Sequence, residues 1–283
     1  SAPRYRRQAS RVNRPVTLGL IGTGLIGASI GMRARNLGWR SIGCDAAASQ
    51  AAAALSRGAL DEIVTREALL EQASTLVIAT PPRAAIAELQ ALRGRAIGAK
   101  LVVDVASVKA PICEAARGVA NFVGTHPLAG SDRSGPGAAR ATMFFEKPWV
   151  YVPPGNKPLE MQVRDFIAAM GARAVPSDAA LHDEILALTS HVPQLFATLF
   201  SKTARQQNVD DLESFCGPVA SELLRLGDSS AALWREIFAY NGQNVARYAR
   251  DLASKLTAAA QALVSEAKPE KDDADQRSAR GYE

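Results

Sequence analysis

An apolar run ending in VTLGLI (16–21) passes without a break into Gly22-Thr23-Gly24-Leu25-Ile26-Gly27, and a stretch with helical spacing follows as far as Gly38. No other feature of the chain narrows its fold as far. The three pieces read as a buried parallel strand, a tight turn and a helix closed by a glycine C-cap. In such a unit Gly22 permits the turn, Gly24 lets a pyrophosphate approach the backbone, and Gly27 lets helix and strand pack closely. The amides of the turn and of Leu25 and Ile26, with the helix dipole behind them, suit phosphate. Asp45 ends the next strand, RSIGCD, 18 residues after Gly27. Its carboxylate can accept from both ribose hydroxyls and would repel a 2′-phosphate. An N-cap for the following helix is the alternative reading of Asp45. Positions 46–48 hold no arginine, so NAD is expected over NADP.

The alternation continues. LVIAT (76–80), KLVVDV (100–105) and NFVGTH (121–126) are the third, fourth and fifth expected strands, with Ala-rich helical stretches between the strands at 46–57 and 83–92. This order predicts an α/β fold with a doubly wound, Rossmann-type parallel sheet. Thr80 and Pro81, where the third run ends, are assigned to the same cofactor rim. WVYVPP (149–154) and ARAVP (172–176) read as further strands around a helix over 158–170. After Ser177 only helical patterns appear. Leu181, Ile185, Leu188, Val192, Leu195 and Leu199 form one stripe, which Pro193 is expected to kink. The expected organisation is a disordered basic tail (1–14), a dinucleotide-binding domain (15–177), an all-helical dimerisation and substrate domain (178–267) and a disordered charged tail (268–283). About 90 helical residues are few for so wide an apolar stripe, which points to a homodimer through these helices.

Charge excludes one class of function. The net +5 of the 283 residues matches the five arginines of the first fourteen residues (Arg4, Arg6, Arg7, Arg11, Arg14), while the last sixteen carry −1. The body between is therefore near neutral, and no basic face for nucleic acid is expected. No apolar run approaches the ~20 residues that span a bilayer, so no membrane association is expected. Three cysteines (Cys44, Cys113, Cys216) without paired spacing suit neither a disulfide framework nor a zinc site. No metal is expected, and a reducing cytoplasm is the simplest compartment.

Three histidines are present. His126, in Gly124-Thr125-His126-Pro127-Leu128-Ala129-Gly130-Ser131, ends the fifth expected strand, where a sheet of this kind opens to its ligands. A histidine satisfied by backbone is the alternative. Ser107, in Asp104-Val105-Ala106-Ser107-Val108-Lys109, ends the fourth strand, either at that rim or as a helix N-cap. His191, in Thr189-Ser190-His191-Val192-Pro193-Gln194, interrupts an apolar helix and needs a partner there, whether in a core, a subunit interface or a site. His182, beside Asp183 near the start of that helix, reads as capping or solvated. Arg225 is either a surface charge or a fork for a carboxylate.

In combination, GTGLIGAS, DVASVK, GTHPLAGSDRSG, HDEILALTSHVP and an arginine nine residues before the tryptophan of LWREI, with Asn241 beyond, resemble the prephenate/arogenate (cyclohexadienyl) dehydrogenase family. The resemblance runs from about residue 16 to 241. It implies NAD-dependent oxidative decarboxylation of prephenate to 4-hydroxyphenylpyruvate, of arogenate to tyrosine, or of both, in tyrosine biosynthesis. By position, His126 matches the catalytic histidine of the HP-x-x-G motif and Ser107 the serine that supports it near the nicotinamide. Arg225 matches the arginine that holds a substrate carboxylate, His191 a second active-site histidine, and Ser131 a small hydroxyl residue beside the substrate, with Trp234 lining the same pocket. The family commonly has Glu at the position of Asp132 and His at that of Gln194, which bears on side-chain selectivity. A 4-amino-4-deoxyprephenate dehydrogenase and a catalytically silent dinucleotide-binding dimer are the alternatives. A hydroxyacid reductase of similar build would want a catalytic lysine, and Lys202 and Lys255 lack a supporting motif.

Overall fold

The computed structural model describes residues 16–130, 133–207 and 211–266. Among the described residues, nine strands and ten α-helices follow in chain order. β1 (Thr17–Ile21), α1 (Leu25–Asn36), β2 (Arg40–Cys44), α2 (Ala48–Ser56), β3 (Glu62–Ile63), α3 (Arg66–Gln72), β4 (Thr75–Ile78), α4 (Pro82–Leu92), β5 (Leu101–Asp104), α5 (Ala110–Ala115) and β6 (Phe122–Val123) build one six-stranded parallel sheet in the order β3-β2-β1-β4-β5-β6. Helices cover both faces, so Leu18, Leu20, Ile42, Leu76, Val77, Ile78, Val102 and Val103 lie fully buried. The order reverses between β1 and β4, which opens a crevice beyond their carboxyl ends. β3, two residues long, is too short to carry a periodic signal.

NFVGTH is not one strand. After β6 the chain leaves the parallel sheet, and β7 (Thr125–Pro127) pairs antiparallel with β8 (Pro148–Tyr151), which pairs parallel with β9 (Arg173–Pro176). The cause lies at the end of β5. One carboxylate oxygen of Asp104 accepts from Thr125 N at 2.9 Å, and the Thr125 hydroxyl donates to the Asp104 carbonyl. These bonds turn the chain out of the ladder at Gly124. Trp149 of β8 then closes the corner, fully buried between Phe144 and Phe166, with its indole N–H donating to the Thr125 hydroxyl at 2.9 Å. His126 therefore stands on the small second sheet.

α6 (Lys157–Ala169) precedes β9, and only helices follow. α7 (Ala179–Leu186) is capped by Asp178, whose carboxylate accepts from Ala180 N and Leu181 N. A π-helical turn, Ala187–His191, joins it to α8 (Val192–Gln206). Pro193 stands just beyond that turn; it has no N–H to donate and its ring crowds the preceding turn, so the wider turn takes the place of a simple kink. α9 (Pro218–Gly227) and α10 (Ala231–Glu266) are the last described helices. Ile237 of α10 packs into the core beneath the parallel sheet with Trp234 and Tyr240, and Glu236 accepts from Arg83 N at the start of α4 at 3.0 Å. Leu181, Ile185, Leu188 and Leu199 are about half exposed. No described helix is long and apolar enough to cross a membrane.

Candidate active site

The dinucleotide turn has the geometry its glycines require. Gly22 has φ +93°, and a Cβ there would meet the Ala79 carbonyl at 2.5 Å; a Cβ on Gly27 would fall 2.2 Å from the Gly22 carbonyl. Gly24 faces open space, with nothing within 4 Å of where its Cβ would be, so a pyrophosphate can reach the backbone of α1 there. Leu25 and Ile26 open α1 and pack against the core. Asp45 directly follows β2 and ties the turn together: one oxygen accepts from Thr23 N at 2.7 Å and Thr23 Oγ1 at 3.0 Å, the other from Ala47 N at 2.9 Å. Ala47, not Asp45, is the N-cap of α2. Across the crevice Pro81 caps α4, and the Thr80 hydroxyl is buried with no hydrogen-bond partner among the described residues. An open cradle, a partly exposed acid at the strand end and an orphaned hydroxyl together fit an adenine dinucleotide.

A cavity of about 620 Å³ connects this turn with the helices. Leu25 and Gly130 line it from one side and Gln194, Arg225 and Trp234 from the other. Arg225 is half-exposed and bonds Glu222 through Nε at 2.8 Å and Nη2 at 2.6 Å. Its planar guanidinium has the shape that pairs with carboxylates. Gln194, buried, donates to the Leu226 carbonyl at 2.7 Å. Ser131 and Asp132 lie outside the described residues.

His126 carries a contact that sequence reading missed. Its Nδ1 lies 2.9 Å from His182 Nε2, and His182 Nδ1 lies 2.8 Å from an oxygen of Asp183. His182 is 1% exposed, so the expectation of a capping or solvated residue is corrected; Asp178 does the capping. One turn of helix from that cap carries His182 inward, and no periodicity separates such a histidine from a solvated one. Asp183 in turn accepts from Lys109 N at 2.6 Å and Ala110 N at 2.8 Å, so a carboxylate from α7 holds the first amides of α5. Ser107 sits in the loop between β5 and α5 and does not cap that helix, whose N-cap is Lys109. The Lys109 ammonium is fully buried against Asp104. Burial, reinforced by the Lys109 ammonium, pushes the His126 pKa well below the ordinary histidine value, which leaves the ring neutral at neutral pH.

His191 is 1% exposed. Its Nδ1 lies 3.1 Å from the side-chain nitrogen of Asn241, which also donates to the Asp183 carbonyl at 2.7 Å. Asn241 reaches both because α10 breaks there, at φ −114° and ψ 20°. The ring packs edge-on to Trp234 at 5.9 Å, and its Nε2 is buried without a partner among the described residues. Burial, against an opposing pull from Asp183, lowers its pKa to about 4. The folded state therefore excludes a proton that the unfolded chain takes up near pH 6.5. This contribution to stability is complete above that pH and is lost as pH falls toward 4. His191→Gln should remove about 2 kcal/mol of the stability lost between pH 7 and 5, read by urea unfolding at both. Parallel losses in variant and wild type would reject it.

Cys44 and Cys113 are pushed up to about 11 by burial, so neither thiol is a nucleophile at neutral pH. The family model described as the nucleotide-binding domain of prephenate dehydrogenase matches residues 30–176, and its dimerization domain matches 178–273. A probable prephenate dehydrogenase, NovF, of Streptomyces niveus is 34% identical over 252 residues, 84% of this chain and 67% of its own. The prephenate dehydrogenase of Bacillus subtilis is 31% identical over 242 residues, 81% of this chain and 65% of its own. The chain thus spans about two thirds of the length of these relatives. Synechocystis arogenate dehydrogenase superposes with a TM-score of 0.72 at 25% identity, over 90% of this chain and 94% of that one. The prephenate dehydrogenase of A. aeolicus, solved in complex with hydroxyphenyl propionate and NAD+, shares the fold, with a TM-score of 0.82 at 23% identity over 92% and 94%.

Proposed function

This chain belongs to the prephenate dehydrogenase family, and from that premise we propose that it catalyses NAD-dependent oxidative decarboxylation of prephenate, arogenate or both, with His126 as the base. The observation that carries this reading is the cavity that joins the dinucleotide turn to Arg225 and Trp234, with the neutral His126 of β7 linked to Trp234 through His182, Asp183, Asn241 and His191. Bound NAD would supply the acceptor for the hydride that leaves ring C4. His126 takes the proton of the 4-hydroxyl, and carbon dioxide departs from C1 as the ring becomes aromatic. The proton then returns to the phenolate oxygen, so the histidine ends as it began. Aromatisation drives the reaction, and the protein's task is to position and to hold one proton.

Gly22, Gly24, Leu25, Ile26 and Gly27 would hold the pyrophosphate, Asp45 the adenine ribose, and Thr80, Pro81 and Ser107 the nicotinamide side. Arg225 would hold a carboxylate, with Ser131, His191 and Trp234 around the substrate. Residues 15–177 would form the dinucleotide domain and 178–267 the substrate and dimer domain. The homodimer reading draws support from the family's dimerization domain and from the exposed leucines of α7 and α8.

Two measurements check the binding assignments. Arg225→Ala should raise KM for the anionic substrate ~30-fold, equivalent to about 2 kcal/mol for a half-exposed ion pair, and leave KM for NAD alone. Equal changes in both, or none, would remove Arg225 from the site. For the cofactor, kcat/KM should favour NAD over NADP, because Asp45 repels a 2′-phosphate; parity would contradict its role. Assays on prephenate and arogenate, each alone, test the reaction and rank the two substrates.

A further inference from the structure

We propose that His182 is a positioning residue for the reaction proposed above: with Asp183 it fixes His126 in the one tautomer that can take a proton at Nε2, and it shares the charge once the proton has arrived. The inference rests on that reading for its rate consequences, but the tautomer is a property of the protein alone.

The direction of each hydrogen bond follows from one end. Asp183 accepts a backbone amide on each oxygen, from Lys109 N at 2.6 Å and Ala110 N at 2.8 Å, so both oxygens act as acceptors. His182 Nδ1, 2.8 Å from its oxygen, must therefore donate. A neutral His182 then has a bare Nε2, which at 2.9 Å can only accept from His126 Nδ1. His126 is left with its Nε2 lone pair free. The ring planes cross at 70° with centroids 5.1 Å apart.

The opposite polarity would need a cationic His182, which could donate from both nitrogens and would leave His126 with Nε2 protonated. The surroundings oppose it. His182 is 1% exposed, and the buried Lys109 ammonium, whose partner is Asp104, and the ring of His191 already bear on this cluster. A second fixed cation there would cost desolvation and repulsion. When His126 accepts the substrate proton, its Nδ1–H still donates to His182, and the carboxylate of Asp183 faces the new charge through one neutral ring. The logic is that of a catalytic triad extended by one imidazole. The proton stays on His126 until the phenolate reclaims it, so no net transfer along the chain is needed.

Three histidines make the test tractable: uniform 15N-histidine labelling of the full chain gives six ring nitrogens, assigned by His182→Gln and His191→Gln. At neutral pH, wild-type His126 and His182 should each show a protonated Nδ1 and a bare Nε2. A protonated Nε2 on His126, or a doubly protonated His182, overturns the proposal. His182→Leu removes the acceptor; His126 should then show mixed tautomers, kcat should fall ~10²-fold or more, and KM for NAD should hold. The acid limb of kcat/KM should move to lower pH, because the imidazolium has lost its support. His182→Gln, whose amide oxygen can accept from Nδ1–H, should recover most of the rate. A Leu variant with wild-type rate and limb would refute the positioning role. Should the wild type oxidise neither substrate, the function reading fails while the nitrogen spectrum still decides the tautomer.

Discussion

His126→Asn lowers kcat by about 10²–10⁴-fold, with fold and NAD affinity intact. The ring stands on β7 outside the hydrophobic core, so the exchange opens no large cavity. Asparagine can still accept from the substrate hydroxyl through its amide oxygen, but it cannot hold the proton. The wild-type ring can, because burial and the Lys109 ammonium keep it neutral and ready at neutral pH. The pH profile follows from the same cause. Activity requires the unprotonated ring, and the depressed pKa places the acid limb below the ordinary histidine value. Steady-state kinetics with a separate NAD titration checks the variant. Turnover within a few-fold of wild type would remove His126 from the chemistry.

Lys109→Met costs about 3–5 kcal/mol of folding stability, because it strands the Asp104 carboxylate in a dry interior. Both side chains of this pair are fully buried. Asp104 also accepts from Ala106 N at 2.9 Å and Thr125 N at 2.9 Å, so the same carboxylate holds the loop of Ser107 and the strand of His126. The variant should therefore lose activity as well as stability. Adding Asp104→Asn removes the stranded charge and should recover part of the loss, a coupling that a double-mutant cycle in urea measures. A single-variant loss below about 1 kcal/mol would show that the pair is not structural in the sense of a buried ion pair.

Much of the architecture was legible because it follows from local rules. A glycine turn between an apolar run and a helix, and an acid after the next strand, specify one supersecondary unit, and the alternation of strand and helix extends it. His126, Ser107 and His191 could be singled out by type and place. What could not be read depends on distant partners. NFVGTH looks like one strand until Asp104, from another strand, captures Thr125 and turns it. His182 looks solvated until His126 and Asp183 close on it. Lys109 was in view as part of DVASVK, yet nothing in one sequence distinguishes a lysine five residues from an aspartate on the surface from one sealed against it. Asn241 likewise gains its role from a break in α10 that sets its amide between His191 and Asp183.

We propose that the pocket between the dinucleotide turn and α9–α10 couples oxidation of a cyclohexadienol to loss of its ring carboxylate, with His126 carrying the proton. Simultaneous measurement of NADH and carbon dioxide tests it most directly, with the enzyme given NAD and prephenate or arogenate and the His126→Asn variant run beside it. Equal amounts of the two products are expected with at least one substrate, both suppressed together in the variant. NADH without carbon dioxide, or neither product with either substrate, would contradict it.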